Sequence, residues 1–124
     1  MTKCKFIKTF TNFIKIAVAF CDKARREGLL ALEEELEDLD DNDFKIGLRL
    51  VVDGTDGCLI DEIYSYMIEN EKNKYKRRYK TIIKRAVLGI QQGINLRILI
   101  LILLAIADLP HKEQSKIEYE LLRD

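Results

Sequence analysis

Residues 5–36, KFIKTFTNFIKIAVAFCDKARREGLLALEEEL, decide the fold. Within them Phe6, Phe10, Phe13, Ile14, Ala17, Phe20, Cys21, Ala24, Gly28, Leu32 and Leu36 recur three and four apart. That spacing lays one apolar stripe along an α-helix. No proline interrupts the stretch, so the pattern predicts a single long N-terminal helix. Gly28 falls inside it, at a cost of about 1 kcal/mol relative to alanine, where it allows a neighbour to pack closely. Arg25, Arg26, Glu27 and Glu33 lie off the stripe. On one straight helix Arg25 and Glu33 stand ~12 Å apart along the axis and ~80° around it. They are then too distant to pair with each other, and each is left to meet solvent or an outside charge. Geometry leaves both of those readings open.

Downstream the stripe breaks at the acidic run Asp38–Asp43. Asn42 or Asp43 can cap a short helix over Phe44–Val52, because a side-chain oxygen there accepts from the unpaired N–H groups of the first turn. Asp53-Gly54-Thr55-Asp56-Gly57 reads as a turn whose glycines accept positive φ, with Asp56 as the next cap. A second long apolar seam runs from Cys58 to about Gln92 through Leu59, Ile60, Ile63, Tyr64, Met67, Ile68, Tyr75, Tyr79, Ile82, Ile83, Ala86, Val87 and Ile90. Its polar middle, Glu69–Lys80, leaves two helices or one exposed rod as alternatives. Gly93 can end it, Asn95 can cap a helix through Ala107, and Pro110 stops that helix. A polar tail follows, with a short helix over 113–122. No segment alternates as a strand. The expectation is an all-α fold, a compact bundle of about four helices, with residues 1–110 as one domain and 111–124 as a polar tail. Helix 5–36 is expected to pack antiparallel against the 58–80 helix, with 44–52 and 95–107 closing the core.

Composition narrows the function. The chain has 124 residues, enough for one domain, and its 21 basic and 21 acidic residues cancel. A zero net charge argues against a dedicated nucleic-acid binder. The charges are nonetheless segregated: residues 33–43 hold eight carboxylates, and Lys72–Arg85 is strongly basic. The helix carrying Tyr75 and Tyr79 among those lysines could face RNA or acidic lipid; a solvated face answering the acidic run is the simpler reading. Three cysteines, Cys4, Cys21 and Cys58, lack any paired spacing, which points to a reducing cytosol rather than a disulfide framework or zinc site. Lys3, Lys5 and Lys8 precede an apolar stretch, but Lys15 interrupts it and no cleavage site follows, so no signal peptide is expected.

The motifs for chemistry fail one by one. Asp38, Asp40 and Asn42 alternate like the start of a calcium loop, yet Asp43 stands where glycine is needed and Arg49 where the bidentate glutamate belongs. His111 is the single histidine and has no ligand set around it. Gly54 and Gly57 lack the strand and lysine of a phosphate loop. No nucleophile–base pairing is visible, so no enzyme, metal, cofactor or small-molecule substrate is expected. Ile98–Ala107 is ten consecutive apolar residues, about half of a bilayer span. It should be core, or a surface for self-association or membrane contact.

Three segments then carry a resemblance. Ala24–Glu33 (ARREGLLALE), Leu48–Asp56 (LRLVVDGTD) and Gly89–Asn95 (GIQQGIN) with Arg97 resemble, in the same order, the cytoplasmic region of the MotA flagellar motor stator subunits, of the MotA/TolQ/ExbB proton channel family. The resemblance implies a role in bacterial flagellar motility. In that family the helix bearing the Ala-Arg-Arg-Glu-Gly motif pushes on the rotor switch protein FliG, through an arginine and a glutamate eight residues apart. On this sequence those fall on Arg25 and Glu33, flanked by Arg26 and Glu27. Implied partners are FliG and full-length stator A and B subunits, at the cytoplasmic, inner face of the plasma membrane. The transmembrane helices of the family have no counterpart here, so ion conduction by this chain itself is not expected. Leu96 stands where the family usually has proline, and Ile100, Leu101 and Ile102 where it has charges. The alternative reading is a helical interaction module, or a self-associating or membrane-surface bundle, without motor function.

Overall fold

The computed structural model describes residues 1–123; Asp124, the last residue of the tail, lies outside the described residues. Among them the chain is all-helical: α1 (Lys3–Glu27), a 3₁₀ segment (Leu29–Asp38), α2 (Asn42–Val52), α3 (Gly57–Asn70), α4 (Lys74–Gln92), α5 (Leu96–Ala107) and α6 (His111–Leu122). The all-α expectation holds, but seven helical elements replace about four. Each extra boundary has a local cause.

The largest correction lies in the opening stretch. The helix does not run to Leu36; it stops at Glu27, where Gly28 takes φ 91° and ψ 160° and leaves the helical region. A side chain is rarely accommodated at that φ, so glycine serves here as a terminator. An added Cβ would meet nothing within 4 Å, so Gly28 is not a close-packing site. The chain re-enters as ten residues of 3₁₀ helix, far longer than the three or four that this geometry usually sustains. Leu32 and Leu36 hold it down, both with no exposed surface. The apolar stripe thus survives the break: every member of it except Gly28 is buried.

The second seam divides at Glu71–Asn73. Asn73 Oδ1 accepts from the backbone N–H groups of Tyr75 and Lys76, both at 3.0 Å, and so starts α4 as a new helix. Asp41 caps α2 by accepting from Phe44 N–H at 3.1 Å, one residue ahead of the expected Asn42 or Asp43. Gly54 adopts φ 80°, whereas Gly57 already belongs to α3. Gly93, left-handed at φ 68°, ends α4, and Asn95 caps α5 by accepting from Arg97 and Ile98 N–H.

Helix α4 is the central element, packed on α1, α2, α3 and α5. Accordingly Ile82, Ile83 and the unbroken run Ala86–Ile90 are all buried. The expected antiparallel partner of α1 was the 58–80 helix. Instead α1 lies against α4, α5 and the 3₁₀ segment, while α3 packs chiefly on α4. Leu59 and Ile63, expected in the seam, are consequently 48% and 38% exposed. Five aromatic contacts cement the α1 side, including Phe13 edge-on to Phe44 at 4.9 Å and to Tyr79 at 5.5 Å.

Two glycines set close approaches. A Cβ on Gly47 would lie 2.0 Å from Tyr64 Oη and 2.7 Å from Val87 Cγ2, so α2 can sit in this core only with hydrogen at that position. On Gly89 it would lie 3.0 Å from Ile94 Cγ2, where the α4–α5 turn folds back. Half of the Ile98–Ala107 run is core, with Leu99, Ile100, Leu103, Leu104 and Ala107 buried. Ile98 and Leu101 are each 46% exposed. Helix α6 lies on α1 and α5, with Ile117 buried and Glu120 3.1 Å from Lys15. No helix among the described residues is long and apolar enough to cross a membrane.

Candidate docking surface

The three sequence segments singled out above lie far apart in the chain, and the fold brings them to one corner. Arg25, in the last turn of α1, donates from its guanidinium to the backbone carbonyl of Gly93. Gly93 is the C-cap of α4, where carbonyls lack helical partners and the dipole is negative, so a cation is stabilised there. Cys21, one turn earlier on α1, places its Sγ 3.5 Å from the Ile94 carbonyl. From the same α4 end, Gln91 Nε2 donates to the Thr55 carbonyl at 2.7 Å. That bond ties the Gly89–Asn95 segment to the Asp53–Asp56 turn. Arg49 on α2 then reaches the 3₁₀ segment, 3.2 Å from Glu37 and 3.9 Å from Glu33. All three segments are therefore linked by side-chain contacts, with Arg25 and Arg49 as two of the ties.

This arrangement corrects the expectation for Arg25 and Glu33. They stand on different elements, separated by the Gly28 break, so the distance along a single helix does not apply. Nor are they unengaged: Arg25 braces α1 against the α4–α5 turn, and Glu33 sits beside Arg49. Arg26 is held by Asp22 at 3.0 Å, one helical turn back, and contacts Glu27 at 3.4 Å. All four side chains still belong to exposed residues. Exposed pairs of this kind contribute ~0–1 kcal/mol each, so a partner can displace them at small cost.

Two residues that the sequence reading did not single out organise the acidic wall. Lys23 contacts Glu34 at 2.5 Å and Glu35 at 3.2 Å, with its own side chain only 14% exposed. The hydrogen bond to Glu34 raises the Lys23 ammonium above its ordinary value, and the same bond lowers the Glu34 carboxyl. On α2, Lys45 lies 3.6 Å from Glu37 and extends the row begun by Arg49. The signal was present as Lys45 and Arg49 at i and i+4, one helical face opposite the acid-rich segment. The basic helix answers that segment only in part: the Tyr79 hydroxyl donates to Asp41 and Lys80 lies near Asp43, while Lys80 pairs with Glu71 at 3.0 Å and Lys84 with Asp61 at 3.0 Å. His111 begins α6, with Nε2 3.4 Å from Ser115 Oγ.

The corner is thus a surface of balanced, exposed charge on a rigid base of buried Leu32, Leu36, Leu48 and Val51. Where such a surface meets another protein, its charges steer encounter and select partners more than they hold them. Comparison with known proteins supplies a matching likeness. The chain is 45% identical over 69 residues to motility protein A of Borreliella burgdorferi, which is 56% of this chain and 25% of that protein. To motility protein A of Treponema phagedenis it is 48% identical over 61 residues, 49% of this chain and 22% of that protein. Against motility protein A of Bacillus subtilis the identity is 37% over 68 residues, 55% and 25% of the respective chains. The chain thus spans about a quarter of the length of these relatives. No family model matches it, and no solved structure matches it significantly. Over roughly half its length, then, this chain is similar to a segment of motility protein A.

Proposed function

We propose that the chain is a stator-type element of the flagellar motor, whose charged corner meets the rotor switch protein FliG. The observation that carries this reading is the likeness to motility protein A, 37–49% identical over about half the chain, together with the convergence of the three resembling segments on one surface. Arg25 and Arg26 at the end of α1, with Glu27 and Glu33 across the Gly28 break, would supply contacts of both signs. Exposed pairs suit a contact that engages and releases repeatedly, because each is weak and screened by salt. The work is contact rather than catalysis, at the inner face of the plasma membrane, beside full-length stator A and B subunits. The direct experiment is calorimetric titration of the chain into purified FliG. Saturable binding that weakens with salt is expected; an absence of heat at low salt, with the chain folded, refutes the reading.

One observation favours a second reading, a self-associating helical module without motor function. Ile98 and Leu101 are each 46% exposed on the outer side of α5. Placing charges where apolar residues stand here would prevent such contact. Sedimentation equilibrium tests it: a monomer at high concentration excludes self-association through Ile98–Ala107, and a dimer that Leu101→Lys dissociates supports it.

A further inference from the structure

A groove runs along α1 and meets the charged corner at its Lys23–Arg26 end. Two shallow cavities of roughly 270 and 360 Å³ share Ile16. They are bounded on α1 by residues from Thr9 to Arg26, which at 1.5 Å per residue is about 26 Å, or nearly five helical turns. The opposite wall is the end of the 3₁₀ segment and the loop into α2. Phe13, Phe20, Leu39 and Phe44 contribute an apolar floor, and Ile16, at 43% exposure, rises from it as an uncovered anchor point.

The rim is charged asymmetrically. At one end, cations are present and engaged, Lys23 by Glu34 and Glu35 and Arg26 by Asp22 and Glu27. At the other, Asp41 is committed to capping α2 and to accepting from the Tyr79 hydroxyl at 2.5 Å. Asp38 and Asp40 are exposed there and make no hydrogen bond or ion pair among the described residues. An apolar trough with uncompensated carboxylates at one end is complementary to a helix that carries apolar residues on one face and cations beside them.

A second copy of this chain offers that combination only on α2, where Ile46 is 47% exposed beside Lys45 and Arg49, and both of those cations are already engaged by Glu33 and Glu37. Its basic helix α4 has Ile82–Ile90 packed into its own core, so it would bring cations without an apolar face. Its exposed α5 residues, Ile98 and Leu101, bring the apolar contact without a row of lysines. We therefore propose that the α1 groove docks a cationic amphipathic helix of another protein, with its apolar residues on Ile16 and its lysines or arginines beside Asp38 and Asp40. This goes beyond the rotor reading, which concerns Arg25, Arg26, Glu27 and Glu33 and can fail without it, since the peptide contacts proposed here lie on Ile16, Asp38 and Asp40.

The chain has no tryptophan, so a probe peptide bearing one is read without background. The probe is an 18-residue helical peptide with leucines three and four apart, lysines elsewhere and a single tryptophan. Two companions complete the set: glutamates replacing the lysines, and serines replacing the leucines. Saturable binding of the leucine–lysine peptide alone is expected. Asp38→Lys with Asp40→Lys, and separately Ile16→Ser, should each weaken it about tenfold, while Glu33→Lys and Leu101→Ser leave it unchanged. All of these positions are exposed or half-exposed, and thermal melts verify that the variants remain folded. Equal binding of the serine–lysine peptide would reduce the effect to surface charge and overturn the proposal. So would equal binding of the leucine–glutamate peptide, insensitivity to the Asp38/Asp40 reversal, loss on Leu101→Ser, or no binding by any peptide.

Discussion

Gly28 and Gly47 look alike in the sequence, yet the structure assigns them opposite tasks. Gly28 is needed for its backbone, at φ 91° with open space around it; Gly47 is needed for its missing side chain, inside an ordinary helix. Were Gly28 the mid-helix residue that the apolar spacing suggests, Gly28→Ala would stabilise by about 1 kcal/mol. With the positive φ observed, the same change should destabilise by about 1 kcal/mol. The sign of the shift in urea midpoint decides between them. Gly47→Ala should cost more, about 1–3 kcal/mol, by pushing Tyr64 away from the Asp43 carbonyl it donates to at 2.6 Å. Tyr64 and Tyr79 also set a pH dependence. Burial, first, and the nearby Asp41 and Asp43 raise both phenols well above their ordinary value of 10.0; for Tyr79 the hydrogen bond to Asp41 adds to this. A raised folded-state value means the stabilisation is complete below pH 10.0 and falls as only the unfolded tyrosines ionise above it. Urea titrations above that pH should therefore show stability dropping more steeply for the parent than for a Tyr64→Phe, Tyr79→Phe variant.

Helix identity and burial were largely legible along the chain, because they rest on a periodic signal that local exceptions do not erase. The stripe from Phe6 to Leu36 is buried except at Gly28, where the element bearing it breaks, since the 3₁₀ segment returns Leu32 and Leu36 to the same core. Caps were legible in part: Asn95 and Gly93 as expected and Asp41 in place of Asn42 or Asp43, whereas Asp56 precedes α3 without a side-chain capping bond and Asn73 caps α4 inside what reads as a polar stretch. What spacing could not reveal was pairing between distant elements. Nothing in the order of residues says that α4, rather than α3, receives α1, or that Arg25 ends on Gly93. Of the four candidate residues, the exposure was legible from their place off the stripe, but their engagement was not, because their partners come from elsewhere in the chain or from a break that the stripe conceals. Two consequences belong at this scale. Asn73→Ala should cost about 1 kcal/mol by uncapping α4, measured by urea denaturation. Amides of the 3₁₀ segment should exchange with solvent faster than those of α1 residues 10–21, because ten residues of that geometry make poorer hydrogen bonds. Equal protection of the two would contradict it.

For the whole molecule, the fold separates a rigid interior from surfaces available to partners. Helix α4 fixes the core, and the corner where α1, the 3₁₀ segment, α2 and the α4–α5 turn meet displays charge of both signs on that base. On the proposed function this corner, and not the apolar side of α5, is what a motor partner reads. The most direct measurement is the affinity of FliG for the parent chain and for Glu33→Lys, Arg26→Glu and Leu101→Ser, at one salt concentration and with melting temperatures matched. These three avoid Arg25, whose bond to Gly93 also braces the fold. Glu33→Lys and Arg26→Glu should each weaken binding several-fold, as exposed charge contacts do, while Leu101→Ser should not. Unchanged affinity in both charge reversals, or loss confined to Leu101→Ser, would contradict that reading.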